Sequence, residues 1–307
     1  MNVMLLSYLR CPYCRGALRK DTLDGDFGII SCACDKYPIV AGIIYLQKND
    51  ALLNKHAVRA VSRKQYGRAF WQVLSGPRVQ KMVMYCVWAL RCKWGISISR
   101  KNVLKLMKVL STNKSWFDYL LHRDESIDIS MATNSLSRAS VRGEIIADIG
   151  CGTGSLYEHL HAVRQMRSGY IGIEKNVNSL LFARLYLEGD ALWVCSDIEQ
   201  GIPIVDSVIA DTLFVDCFAW IYHKERTLAE SKRILMRKGT VTIVNIYAQT
   251  LRTKLWGYGV SPDYLRKIMK KYFSKITFFN NDRPDRIIGL AMRCLHKERY
   301  SCQAVKE

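Results

Sequence analysis

The chain has 307 residues, of which 49% are apolar, and carries a formal net charge of +19. That apolar content can build a substantial core and excludes an intrinsically disordered chain. The longest apolar run, Met82 to Leu90, is about half the length that a membrane-crossing helix requires. Met1 to Leu9 shows no cationic start of a secretory leader, so a cytoplasmic protein without a transmembrane segment is expected.

Residues 1–50 form the first region. They hold four of the eleven cysteines as two close pairs, Cys11/Cys14 and Cys32/Cys34, among strand-like runs at 28–31, 39–40 and 42–46. In a reducing compartment such pairs point to metal before disulfide. Four thiolates suit a closed, structural, tetrahedral Zn²⁺ site. The second pair is C-x-C rather than C-x-x-C, a tighter bite that leaves two alternatives, a strained zinc site or a lapsed one. The other seven cysteines lie scattered among apolar residues and read as buried or idle thiols.

Residues 51–140 contain a single proline, Pro77, and place Val103, Leu106, Met107 and Leu110 at helical spacing. Charge concentrates here, with fifteen Lys/Arg against four Asp/Glu over 61–143. The segment is either a solvated helical face or a surface for RNA, an acidic partner or a membrane. Asp128 to Ser140 is rich in Ser, Thr and Asn and reads as a linker.

From 141 to 307 short β-rich runs alternate with helical ones, the pattern of a parallel sheet with crossover helices. Strands are expected at Ile145–Ile149, Tyr170–Glu174, Ala191–Cys195, Ser207–Ala210 and Thr240–Tyr247. Helices are expected at Asn178–Leu187, Lys224–Leu235 and Asp263–Tyr272, with a closing strand pair at Lys275–Phe279 and Ile287–Cys294.

The first strand runs into Gly150-Cys151-Gly152-Thr153-Gly154. This spacing is neither the G-x-G-x-x-G of a dinucleotide turn nor a loop ending in Gly-Lys-Ser/Thr. Asp148, two residues before the first glycine, would repel a pyrophosphate. Glu174 ends the second strand, where it can accept hydrogen bonds from two ribose hydroxyls. Asp197 follows the third strand, where an adenine amino group could be met.

Together these residues resemble the class I S-adenosylmethionine-dependent methyltransferases over about residues 144 to 295. The resemblance implies an α/β, Rossmann-like, seven-stranded methyltransferase sheet. It also implies a phosphate-free sulfonium cofactor, S-adenosyl-L-methionine, held by Asp148, Gly150, Cys151, Gly152, Gly154, Glu174, Lys175, Asp197, Ile198 and Asp211. The helix N-terminus after Gly154 favours the cofactor's carboxylate. Asp211, in "DSVIADTLFVDCF", matches the position that faces the transferred methyl in this family. Glu230, Arg233, Lys238 and Gly239 match the family's approach to its fifth strand. Asp211-Thr212-Leu213-Phe214 stands where amino-nitrogen methylators carry Asn/Asp-Pro-Pro-Tyr, which argues against adenine N6 or glutamine as acceptor.

No general base stands out. His223, Tyr222 and Asp216 are the candidates, and Phe214, Phe218 and Trp220 either wall an acceptor pocket or pack the core. In-line alignment of an activated donor can by itself contribute roughly 7–11 kcal/mol.

The cysteine module with "YPIVAGIIYL" resembles the small zinc-ribbon protein that activates tRNA and translation-factor methyltransferases, here fused in cis. The expected function is therefore methyl transfer to a small molecule or peptide, with the zinc module and the middle segment as a lid. An RNA methyltransferase gripping phosphates with Lys93, Arg100, Lys101, Lys105 and Lys108 is the alternative. The fold also hosts enzymes that use the cofactor without moving its methyl, and a non-catalytic binding scaffold is the reading the three acids favour least.

Overall fold

The computed structural model describes residues 3–48, 51–96, 98–111, 114–122, 127–135, 144–164, 169–187, 189–247, 259–280, 283–287 and 299–307. Its strands are β1 (Arg19–Asp24), β2 (Phe27–Ser31), β3 (Lys36–Val40), β4 (Ile43–Tyr45), β5 (Ile145–Ile149), β6 (Tyr170–Glu174), β7 (Leu192–Cys195), β8 (Ile209–Val215), β9 (Leu235–Tyr247), β10 (Ser274–Asn280), β11 (Arg283–Ile287) and β12 (Arg299–Val305). They form one sheet in the order β1-β2-β3-β4-β7-β6-β5-β8-β9-β12-β10-β11.

This corrects the expected strand count. A seven-strand run from β7 to β10, with a parallel centre and antiparallel β12 and β10, is embedded in twelve strands. The extra strands come from β11 at one end and the cysteine module at the other. The module does not stand apart: β4 lies parallel to β7, with Ile43 opposite Trp193, Ile44 opposite Val194 and Tyr45 opposite Cys195. An edge strand carries a row of unsatisfied backbone groups, and β4 covers that row.

Every residue of β5, β7 and β8 is buried, as parallel strands covered on both faces require. One face is covered by helices α1 (Ala51–Ser62), α2 (Tyr66–Val73), α3 (Arg78–Trp94), α4 (Arg100–Val109), α5 (Lys114–His122), α6 (Ile127–Asn134), α7 (Ser155–Arg164) and α8 (Val177–Tyr186). The other is covered by the turn at Val3–Tyr8 with α9 (Lys224–Ile234) and α10 (Pro262–Met269).

Three local expectations change. The Ser/Thr/Asn-rich stretch opens with helix α6, whose Ile129 and Ala132 are buried, so packing overrides composition; residues 136–143 lie outside the described residues. The fourth strand runs on to Val215 rather than stopping at Ala210. The closing strand is β12 at Arg299–Val305, while most of the expected Ile287–Cys294 run lies outside the described residues.

An ionic network fixes the module to α9. Arg15 donates both hydrogen bonds of Nη1 to the Glu230 carboxylate at 2.9 Å, Arg233 grips the same carboxylate, and Arg10 and Arg233 both meet Asp206. Burial pushes the Glu230 carboxyl up, but hydrogen bonds from Arg233 and Arg15 outweigh it and hold it below the ordinary carboxylate range. Its contribution is therefore present above that range and is lost as pH falls through it. Arg15→Ala is expected to cost about 1–2 kcal/mol at neutral pH, after allowing for solvent at the half-exposed guanidinium. In urea melts this deficit should shrink in acid.

Candidate functional site

At the C-terminal ends of β5, β6, β8 and β9 lies a cavity of about 500 Å³. Its floor is the glycine turn. Gly150, Gly152 and Gly154 have φ of 74°, 54° and 80°, in the left-handed region that only glycine enters freely. A Cβ on Gly150 would stand 2.8 Å from the Cys217 side chain, and one on Gly154 would stand 2.5 Å from Leu187. At Gly152 a Cβ would meet nothing within 4 Å, so there the backbone itself faces open space.

Asp148 and Glu174 both reach this cavity. Asp148 is buried, and its Oδ2 accepts a hydrogen bond from the Tyr170 hydroxyl. Glu174 binds the turn, where Oε2 accepts from Gly152 N–H at 3.2 Å, and its own loop, where Oε1 accepts from Asn176 N–H at 2.8 Å. Burial raises its carboxyl above the ordinary range, more than those N–H groups and Lys175 lower it. Ser155 opens α7 on the cavity wall with a buried hydroxyl that no described group hydrogen-bonds.

The opposite wall comes from elsewhere in the chain. Tyr119 and Leu120 of α5 and Ile129 of α6 form its roof, and Trp220 and Tyr247 form its rim. Asp216 stands just past the end of β8 with φ 61°, an unusual conformation for a non-glycine residue. Its carboxylate accepts from the Tyr119 hydroxyl at 2.9 Å and from Asn245 Nδ2 at 2.8 Å. Arg100, which begins α4, donates to Thr153 Oγ1 at 3.0 Å and pairs with Glu158, so the middle segment grips the glycine turn directly. Among the described lining residues are three carboxylates and no cation.

Several sequence-nominated residues are not brought there. Lys175 pairs with Asp197 at 2.7 Å, and Asp197 caps the short turn Ile198–Gln200 by accepting from Glu199 N–H. None of Lys175, Asp197 and Ile198 lines the cavity. Asp211 is fully buried inside β8, where its Oδ1 accepts from the Thr240 hydroxyl. Because β8 is longer than its β-rich letters suggest, the carboxylate at its open end is Asp216. Tyr222 and His223 sit on the surface, their backbone N–H groups bound by Glu199, and neither reaches the cavity. Phe214 and Phe218 pack edge to face in the core, 5.4 Å apart; of the three aromatics only Trp220 lines the site.

The donor set fits S-adenosylmethionine. Buried carboxylates suit its cationic end, the open backbone at Gly152 lets it approach closely, and the helix N-terminus with the unsatisfied Ser155 hydroxyl suits its carboxylate.

At the N-terminus the Cys11, Cys14, Cys32 and Cys34 sulfurs all lie within 4.8 Å of one another. The Cys11–Cys34, Cys14–Cys32 and Cys32–Cys34 separations are 3.6, 3.7 and 3.3 Å. A tetrahedron with Zn–S bonds of about 2.3 Å has sulfurs about 3.7 Å apart, so the cluster fits zinc and the C-x-C pair is its tightest edge. Lys48 Nζ, 3.2 Å from Cys34 Sγ, adds a cation beside the thiolates.

Residues 147–243 match a family model described as a methyltransferase domain. No curated protein sequence matches the chain. Among solved structures, phosphoethanolamine N-methyltransferase 2 of Haemonchus contortus in complex with S-adenosyl-L-methionine superposes with a TM-score of 0.50 at 12% identity, covering 86% of this chain and 84% of that one. The same enzyme with phosphomonomethylethanolamine and S-adenosylhomocysteine gives 0.50 at 14% identity, over 69% and 60%. A possible histamine N-methyltransferase from Thermotoga maritima gives 0.46 at 17%, over 64% and 95%. At such identities the likeness is one of fold. The matched stretch runs from β5 into β9 and carries the glycine turn, Asp148 and Glu174.

Proposed function

We propose that the chain is a cytoplasmic enzyme that methylates a small molecule or a peptide side chain inside the roofed cavity. The observation that carries this reading is the roof. Tyr119, Leu120 and Ile129 come from the middle segment, and with Trp220 and Tyr247 they line a half-open pocket of about 500 Å³, within the size range of small-ligand sites. Two of the cations nominated for RNA are engaged within the protein, Arg100 with Glu158 and Lys108 with Asp118.

In this reading Asp148, Glu174, the glycine turn and the start of α7 hold the cofactor, which supplies a methyl group on a positively charged sulfur. Asp216, set by Tyr119 and Asn245, faces the acceptor end. The aromatic rim excludes water and aligns the acceptor, which is where a transfer of this kind gains most. The four-cysteine module holds a structural zinc ion and acts as an activator-like ribbon fused in cis; the sheet edge that β4 adds to β7 supports this.

The test is incubation of the full chain with methyl-labelled cofactor and fractionated cell extract. Label is expected in the low-molecular-weight or peptide fraction. Label in nuclease-sensitive material would overturn the proposal in favour of RNA. Tyr119→Phe keeps the roof but removes one donor to Asp216, and is expected to slow transfer about tenfold with little change in cofactor affinity. Equal losses in both would place Tyr119 at the cofactor instead.

A further inference from the structure

From residue 51 to residue 117 the chain carries fourteen Lys/Arg and not one Asp or Glu. The same stretch holds eight of the twelve large apolar side chains that are exposed among the described residues. Each property alone is ordinary; a cationic face is usually solvated, and single exposed apolar residues are common. Their coincidence on one helical segment is not.

Helix α4 shows the arrangement most clearly. Val103, Leu104 and Met107 face inward and are buried. A second apolar row, Leu106, Val109 and the capping residue Leu110, is 48%, 75% and 40% exposed. These positions follow i, i+3 and i+4 spacing and so share one face. Lys101 and Lys105, both exposed, lie one turn apart beside that row. The helix is thus apolar on two faces, and among the described residues only one is buried. Trp94 and Ile96, 65% and 51% exposed, end α3 and begin the short connection into α4.

We propose that this face docks reversibly on an anionic lipid surface. Lysines attract anionic headgroups, each worth roughly a fivefold gain in partition. Apolar side chains then enter the interface, with Trp94 suited to its boundary. Charge selects the occupant: a second copy of the chain would set Lys101 and Lys105 against cations, with no acidic residue between 51 and 117 to meet them, and the apolar row gives RNA nothing to hold. Among the described residues no helix is long and apolar enough to cross a membrane, so the protein would lie on the surface. The proposal does not depend on which acceptor the cavity takes.

The experiment is co-sedimentation of the full chain with phosphatidylcholine vesicles, with and without phosphatidylglycerol. Binding is expected only with the anionic lipid. Lys101→Glu with Lys105→Glu should weaken it at least about thirtyfold. Leu106→Ser with Val109→Ser should weaken it about tenfold or more. Both pairs change exposed positions, and Val109→Ser alone, at the most exposed of them, is the fallback if either pair misfolds. A change in tryptophan emission should accompany binding to the anionic vesicles and be lost in Trp94→Phe.

No binding, or equal binding to neutral vesicles, would overturn the proposal. So would full retention in the apolar variants, which would reduce the effect to non-specific charge. Tighter binding to RNA, lost only in the lysine variants, would move the surface to nucleic acid. A dimer seen by light scattering and dissolved by Val109→Ser would assign the face to self-association.

Discussion

Calorimetric titration of Glu174→Ala with S-adenosylhomocysteine is expected to show affinity at least about a hundredfold below that of the unsubstituted chain, with an unchanged circular dichroism spectrum. The side chain does two jobs at once. It lines the cavity, and it holds the glycine turn through Gly152 N–H while fixing its own loop through Asn176 N–H. Hydrogen bonds to an ionised group contribute about 1.5–3 kcal/mol each, so losing both and the ligand contacts readily exceeds the roughly 2.7 kcal/mol that a hundredfold represents. The fold should survive, because burial disfavours the ionised Glu174 carboxylate and its removal relieves that cost. The sign gives a second check. A carboxyl raised by burial destabilises the ligand-free chain as pH climbs through and above the ordinary Glu range, and the alanine variant should lose this part of the pH dependence. Unchanged affinity would mean that the cavity is not the cofactor site.

The second large effect concerns the cysteine cluster. Metal analysis is expected to find about one zinc per chain. Chelation, or Cys14→Ser with Cys34→Ser, is expected to lower the melting midpoint by about 10 °C or more and to start aggregation. The first fifty residues bury little on their own, and a free-standing unit of that size usually needs a metal or a neighbour. Here the neighbour is the sheet itself: loosening the module uncovers β7 as well as the ribbon, which is why aggregation should follow. A metal-free protein with an unchanged midpoint would show that the four thiols are merely packed together.

That the glycine turn, Asp148 and Glu174 would line one cavity was legible in the letters, because each sits at the end of a strand whose apolar run marks that end. Cys11, Cys14, Cys32 and Cys34 were legible because they stand in two close pairs, where local spacing fixes position. Asp211 was misplaced because the end of a buried strand leaves no mark in an apolar run: β8 continues through Leu213, Phe214 and Val215, and the open end falls at Asp216. Asp197 and Lys175, read as cofactor contacts, form an ion pair with each other, a contact that depends on side-chain geometry and leaves no mark in the letters. Tyr119, Leu120 and Ile129 gave no signal at all. They meet the site only through the packing of helices that lie about twenty to thirty residues before the glycine turn, and no spacing rule reaches across that distance. The junction of β4 with β7 was hidden likewise, since pairing between strands about 150 residues apart leaves no local pattern.

That junction has a consequence for how the proposed activity responds to dilution. The cysteine module and the sheet are one polypeptide, so their stoichiometry is fixed at one to one and their mutual encounter is unimolecular. Specific activity should therefore stay constant down to the lowest assayable concentration, and adding excess free ribbon should change nothing, in contrast to any arrangement in which such a subunit is supplied separately and dissociates.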